Sequence, residues 1–280
     1  MPKVSRHKTI SKKRTLELKP WLDSIIQQVE VPSYIDTDPI CFLHAYDQTE
    51  DRLIAGFFAA IMAWGRRDIV IRKVAELLER MDHSPAVFIN EYNETKRNNL
   101  IGFKHRTFTE DDVHHLISTI QTKAKIYGSF YNFWKFVYEK SVIQKRDIIA
   151  VFHECFFETY EGPTRTKKHI ANSEKNSSCK RLYLYLRWTT RPESCVDMHL
   201  LDFIPPSILK IPLDVHVARQ ARKLGLLGRK QNDWKAVEEL TKRCQLLDPE
   251  DPSKYDYALF GIGVLNRDVP EELVINKGIE

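Results

Sequence analysis

Along this 280-residue chain, apolar residues recur almost everywhere at the three-to-four-residue spacing of one helix face. Residues 52–64 are apolar all round, which predicts a helix with no solvent face, lying in the core. Asp68–Met81 follows, with Ile69, Val70, Val74, Leu77, Leu78 and Met81 on one side. Pro20–Val29 predicts a short helix with proline in its first turn. Ser84 is placed to cap another that runs to Tyr92. Thr109-Glu110-Asp111-Asp112 has capping-box form and opens a helix carrying Val113, Leu116, Ile117 and Ile120. Phe130–Tyr138 and Asp147–Thr159 predict aromatic-rich helices. Alternating β-branched runs bounded by turns are almost missing. The expected fold class is all-α.

Between Tyr160 and Ser178 the pattern breaks into a polar, basic stretch, which reads as a loop and as the best candidate boundary. A second helical set follows at Cys179–Thr189, Val215–Leu226, Asp233–Cys244 and Pro252–Gly261. Pro205-Pro206, Pro212 and the run Asp248-Pro249-Glu250-Asp251-Pro252 mark its linkers. No internal repeat is visible. The expected organisation is a basic tail over 1–19 and a single two-lobed helical domain over 20–280. Its lobes intertwine, and the basic loop spans 160–178.

Charge sharpens this picture. Residues 1–19 carry seven basic side chains against Glu17 alone; removing that +6 from the net +5 leaves the other 261 residues at −1. A second concentration, from Gly162 to Arg191, holds eight Lys or Arg against Glu174. One positive tail and one positive segment on a near-neutral body suit a polyanion such as DNA; a solubilising tail is the plainer alternative. The longest apolar stretch is too short to span a bilayer, so no membrane partner is expected. No apolar run follows the basic N-terminus, so no secretory signal is expected, and five scattered cysteines read as reduced thiols in a cytoplasm. His114-His115, His153, His199 and His216 form no metal-ligand spacing. Phosphate-binding glycine loops and nucleophile elbows are missing too. No metal, cofactor or protein partner is expected.

Candidate chemistry lies between Ser177 and Val217. With Ser177 or Ser178 as N-cap, Lys180 falls in the first turn of a helix. A cation there opposes the helix dipole at a cost of ~1 kcal/mol or less. Arg181 alongside adds to that, favouring the neutral amine a nucleophile needs. The ordinary alternative is a surface lysine. In Ile211-Pro212-Leu213-Asp214-Val215-His216-Val217-Ala218-Arg219, an extended proline-containing entry leads into a helix, and Asp214 stands where an N-cap belongs. Capping alone accounts for such an aspartate. Held rigidly at a helix start, it is also an oriented carboxylate able to take a proton from an amine or to stabilise a sugar cation.

The segment 211–219, with Lys180 standing 34 residues before Asp214, resembles the catalytic stretch of the helix-hairpin-helix DNA glycosylases. The closest echo is the archaeal 8-oxoguanine glycosylases, over about residues 50–265. From end to end the chain also resembles an uncharacterised bacterial family. Its marks here are Cys179-Lys180-Arg181, Leu186-Arg187-Trp188, residues 211–216 and Lys254–Gly261. The glycosylase resemblance implies a two-lobed helical fold and excision of an 8-oxoguanine-like base, with possible lyase activity. Lys180 would attack C1′, supported by Asp214, on a base flipped out of duplex DNA. Trp188, Trp234, Tyr255, Tyr257 and Phe260 are candidates to stack on that base. Trp64, Arg66 and Arg67 would line the pocket, and Arg181, Arg187, His216 and Arg219 are the remaining substrate or DNA contacts it suggests. Asn176-Ser177-Ser178 stands where such hairpins carry glycine, and no cluster-binding cysteines occur. Three readings stand: a glycosylase, a non-catalytic nucleic-acid binder on the same fold, and a helical scaffold for another ligand.

Overall fold

A computed structural model describes residues 6–264 and 269–279. Fourteen α-helices make up the described fold. The first seven are α1 (Lys12–Glu17), α2 (Lys19–Val29), α3 (Cys41–His44), α4 (Thr49–Ile61), α5 (Arg67–Arg80), α6 (Pro85–Asn90) and α7 (Glu94–Arg97). After them come α8 (Glu110–Tyr127), α9 (Phe130–Gln144), α10 (Ile148–Phe156), α11 (Lys180–Thr190), α12 (Val215–Lys223), α13 (Trp234–Leu247) and α14 (Tyr255–Val264). The only sheet among the described residues is a two-residue hairpin, β1 (Lys104–His105) with β2 (Phe108–Thr109) antiparallel to it. The chain is all-α, as its periodicity predicts.

The helices pack in two groups. Helix α4 is the axis of the first: every residue from Leu53 to Ile61 is buried, and α3, α5, α6, α9 and α11 surround it. A continuous aromatic cluster fills the space between α4, α9, α10 and α11. In it Phe57 meets Phe130 and Tyr185 edge-on, and Trp134 stacks flat on Phe152 at 4.2 Å. Edge-to-face and offset pairs of this kind add to the apolar burial that drives the packing.

In the second group α14 packs on α2 and α12, while α1 packs on α13. The N-terminal helices thus sit among the C-terminal ones. A Cβ on Gly261 of α14 would collide with Val29 Cγ2 and approach Ile25 at 3.3 Å, so the absence of a side chain there sets how closely α14 approaches α2.

Two segments differ from the sequence picture. Residues 6–19 of the basic tail lie on the fold: Leu18 is buried, Arg6 pairs with Glu239 at 2.6 Å, and the His7 N–H donates to the Gly228 carbonyl. The basic stretch 160–178 contains 3₁₀ turns at Thr164–His169 and Ser173–Lys175. Thr166 and Arg165 donate to Asp112 at 2.8 and 3.1 Å, and Ser173 donates to Asp147 at 2.7 Å. These partners lie 26–54 residues upstream; polar composition alone gave no sign of them. No described helix is long and apolar enough to cross a membrane.

Candidate active site

The starts of α11 and α12 converge on a cavity of about 700 Å³, a size typical of small-molecule sites. Its lining comes from the α4–α5 turn, the first turns of α11 and α12, the chain around Tyr34–Pro39, and one side of α14.

Lys180 occupies the first position of α11. The residue capping that helix is Cys179 rather than a serine, at φ +50, with its N–H donating to Ser177 Oγ at 3.3 Å. Asn176 is also left-handed, at φ +59. Asparagine tolerates that region, and two such residues make the sharp turn that glycine would otherwise make. The turn is held from the far side: Asn176 Nδ2 donates to Asp233 Oδ2 at 3.2 Å, and its carbonyl accepts from the Trp234 N–H at 3.3 Å. Burial pushes the Cys179 thiol up to about 12, so it stays protonated and unreactive beside the lysine.

Asp214 caps α12, as its position in the sequence suggests. Its Oδ1 accepts from the Val217 N–H at 2.8 Å. The incoming segment is pinned by the Ile211 N–H on Thr241 Oγ1 at 3.1 Å. The second oxygen, Oδ2, lies 3.2 Å from Lys180 Nζ. One carboxylate therefore both anchors the helix start and meets the lysine. Lys180 is 31% exposed and Asp214 14%, so the pair opens to the cavity without being fully solvated.

The walls are aromatic and cationic. Trp64 is clamped by three neighbours: the Arg181 guanidinium at 4.8 Å, the His169 ring stacked at 6.1 Å, and the His105 ring edge-on at 4.6 Å. Behind it, His169 faces the fully buried Asp112 at 3.4 Å. Burial outweighs that carboxylate's pull and depresses the imidazole to about 4, so His169 is neutral at physiological pH. Across the cavity the Arg67 guanidinium lies over the rings of Phe260 and Tyr34 at 5.2 and 5.8 Å, and 3.7 Å from Asp38.

Below the pair lies a buried ionic network. Arg187 Nη1 donates to Asp256 Oδ2, Nε lies 3.6 Å from Asp197, and the guanidinium sits 3.9 Å over the Tyr257 ring. Arg191, one turn later, meets Asp197 and Glu30 at 2.6 Å each and Asp251 at 2.7 Å. Asp256 lines the cavity, and burial raises its carboxyl to about 7 despite Arg187.

Of the residues singled out from sequence, Lys180, Asp214, Trp64, Arg67, Arg181, Arg187, His216 and Phe260 all line the cavity. His216 stands exposed, next to Val215, which is 66% exposed. Arg181 donates to the Ile61 carbonyl and stacks on Trp64, so its guanidinium buttresses a wall. Arg187 is locked among carboxylates rather than free to meet a phosphate. Trp188 is fully buried, away from the lining, because the apolar face of α11 turns it into the core. Arg66 is outside the lining and holds Asp68 at 2.7 Å; Arg219 is outside it as well. Of the other aromatics considered, Tyr255 and Tyr257 are core residues, and Trp234 stacks on Tyr183. Sequence reasoning missed Asp256, Tyr34 and Asp38. The available signal for Asp256 was two arginines one turn apart, Arg187 in the apolar stretch of α11 and Arg191 at its C-cap, which demand counter-charges if buried. Among the described residues no three His, Cys, Asp or Glu side chains are grouped to hold a metal ion.

A profile for a protein family of unknown function, DUF2400, matches residues 38–265, and the chain belongs to that family. The matched span contains every cavity-lining residue except Tyr34. No curated protein and no solved structure matches the chain.

Proposed function

We propose that the chain is a DNA base-excision glycosylase of the helix-hairpin-helix kind, with Lys180 as nucleophile. The observation that carries this reading is the 3.2 Å contact between Lys180 Nζ and Asp214 Oδ2 at the edge of a cavity with ample room for a base. Lysine and carboxylate are presented by the first turn of α11 and the N-cap of α12, so neither has far to move.

In this reading a damaged nucleotide swings out of the duplex and its base enters the cavity between Trp64 and Phe260. Asp214 accepts a proton from the Lys180 ammonium, freeing the lone pair. The amine then bonds to C1′ as the glycosidic bond breaks, and the base leaves with that bond's electron pair. As the base departs with that electron pair it takes up the proton held on Asp214, so the positive charge on the sugar faces a carboxylate again. Opening of the sugar ring converts the adduct to a Schiff base, from which strand cleavage by β-elimination can follow. The left-handed Asn176 and Cys179 answer the missing hairpin glycine, since the turn before Lys180 forms without it. Lys168 and Lys175 in the preceding segment are exposed and have no carboxylate partner among the described residues, which suits a phosphate backbone alongside.

The test is borohydride trapping on duplexes bearing an abasic site, 8-oxoguanine or uracil. A covalent complex with the wild type that is lost in Lys180→Ala supports the reading; no complex with any duplex, or one that persists in Lys180→Ala, overturns it. Log binding constant against log salt should fall steeply. A flat salt response would remove nucleic acid as the partner.

A further inference from the structure

None of the DNA contacts expected from the sequence lies on the β1–β2 hairpin, yet the hairpin is fastened to the edge of the cavity. His105 is 2% exposed: its ring meets Trp64 edge-on at 4.6 Å, and Nε2 lies 3.1 Å from the Met62 carbonyl. On the return strand, Phe108 packs on His169 at 4.8 Å and on Trp64 at 6.4 Å. Arg165 donates to the Thr107 carbonyl at 3.3 Å, tying the hairpin turn to the segment 164–169. The turn at Arg106 and Thr107 is therefore held against the α4–α5 connection that walls the cavity.

Arg106 is the side chain this arrangement presents. Its backbone is left-handed, at φ +56, an uncommon state for a residue of that size. The side chain lies over Gly65: a Cβ there would stand 2.6 Å from Arg106 Nη1 and 3.7 Å from Cδ and Cζ. Gly65, at φ +100, is exposed and lines the cavity, so it marks the cavity's outer edge. Two positive-φ residues thus meet at one place, one supplying a seat and the other the guanidinium laid on it; strained backbone gathered in this way points to function. Arg106 is exposed, and its side chain has no hydrogen bond, ion pair or ring partner among the described residues. The carboxylates on the surrounding segments are engaged elsewhere: Asp68 with Arg66, Asp112 with Thr166 and Arg165, and Glu110 with the Gly102 N–H. Lys104 on β1 and Lys168 on the adjoining segment are exposed and likewise have no carboxylate partner among the described residues.

We propose that the β1–β2 hairpin, through Arg106, is a phosphate-contacting surface for duplex DNA held over the cavity. A guanidinium is a planar fork of donors with no acceptor, which suits phosphate oxygens, and Arg106 has no carboxylate to give up before it can meet one. A nucleotide whose sugar reaches Lys180 leaves the phosphates of its chain outside the cavity, at the edge where Gly65 lies. The inference rests on the reading of this cavity as a base-excision site and adds an element that holds the DNA there.

Fluorescence anisotropy with the full chain tests it, on a duplex carrying a tetrahydrofuran abasic analogue, titrated over a range of salt concentrations. Arg106→Ala should reduce the slope of log binding constant against log salt by about 0.9, the loss of one phosphate contact; carried from about 1 M down to about 0.1 M salt, that is roughly eightfold in affinity. Arg106→Lys, which keeps the charge, should keep the slope. Arg106→Gly should lose as much as the alanine variant, and because glycine adopts the left-handed backbone freely, a folding defect does not account for that loss. Lys135→Ala removes the same charge from an exposed position on α9, outside the cavity lining, and should leave the slope as it is. Slopes unchanged in both Arg106→Ala and Arg106→Gly, the result if the hairpin met an acidic protein face instead, overturn the proposal, and so does an equal reduction in Lys135→Ala. Borohydride trapping on an abasic duplex runs alongside. Lysine-dependent trapping with slopes unchanged in the Arg106 variants leaves the glycosylase reading standing and removes this inference, and a reduced slope without trapping does the reverse.

Discussion

Asp214 does two jobs with two oxygens, and a pair of substitutions separates them. Oδ1 caps α12 through the Val217 N–H at 2.8 Å, and Oδ2 meets Lys180 at 3.2 Å. Asparagine caps helices about as well as aspartate, so Asp214→Asn keeps the first contact and removes only the charge. Its stability cost should be a few tenths of a kcal/mol, because an ion pair with a lysine about one-third exposed contributes little after solvent screening. Asp214→Ala loses the cap as well, which costs about 1 kcal/mol. In a domain of this size that lowers the thermal midpoint by about 2–4 °C. The chemistry responds differently, since both variants lose the group that accepts the lysine's proton and faces the sugar cation. Single-turnover trapping should slow by roughly 10²–10⁴-fold in each. Differential scanning fluorimetry and trapping kinetics on one set of preparations read both effects. Wild-type trapping rates in Asp214→Asn, with loss only in Asp214→Ala, would refute the reasoning: Asp214 would then be a cap and nothing more.

Three further outcomes follow from the packing and the buried charges. Gly261→Ala places a methyl against Val29 and Ile25 and should destabilise the fold by roughly 1–3 kcal/mol in urea unfolding; an unchanged midpoint would mean that α14 and α2 are not so tightly apposed. Arg191→Met leaves Glu30 without its cation and Asp197 with Arg187 alone, and should cost about 3–5 kcal/mol, a loss that high salt does not mask because the site is buried. His169 is depressed to about 4 from an ordinary 6.5, so the unfolded chain binds its proton first. Stability is then complete above 6.5 and lost as pH falls toward 4, on the order of 2–3 kcal/mol from this group. His169→Gln should flatten that part of the pH–stability profile, and an identical profile in the variant would contradict the assignment.

Much of the fold was legible because helical periodicity and capping are local. The apolar run around α4, the capping box at Thr109 and Asp112, and the cap at Asp214 are each written within a few consecutive residues, and each is present in the structure. What escaped was written across long separations. The basic stretch 160–178 reads as bare loop because Asp112 and Asp147, which hold it, lie tens of residues away. Arg187 suggested a DNA contact for the same reason: its counter-ions Asp197 and Asp256 are not its helix neighbours, and a guanidinium among apolar residues looks available until they are placed. Asp256 sits in the first turn of α14, where a carboxylate is ordinary, so nothing local marks it as cavity floor. Cys179 escaped on backbone grounds. A left-handed cysteine before a helix has no sequence signature, and serine was the better-known cap.

The most direct measurement of the central claim is to locate the covalent bond. After borohydride reduction of the wild-type protein with an abasic-site duplex, nuclease and protease digestion followed by mass spectrometry should find a deoxyribose remnant on the peptide carrying Lys180, bonded at its ε-nitrogen. A remnant on any other lysine or on the N-terminal amine, or no modified peptide at all, would contradict the account.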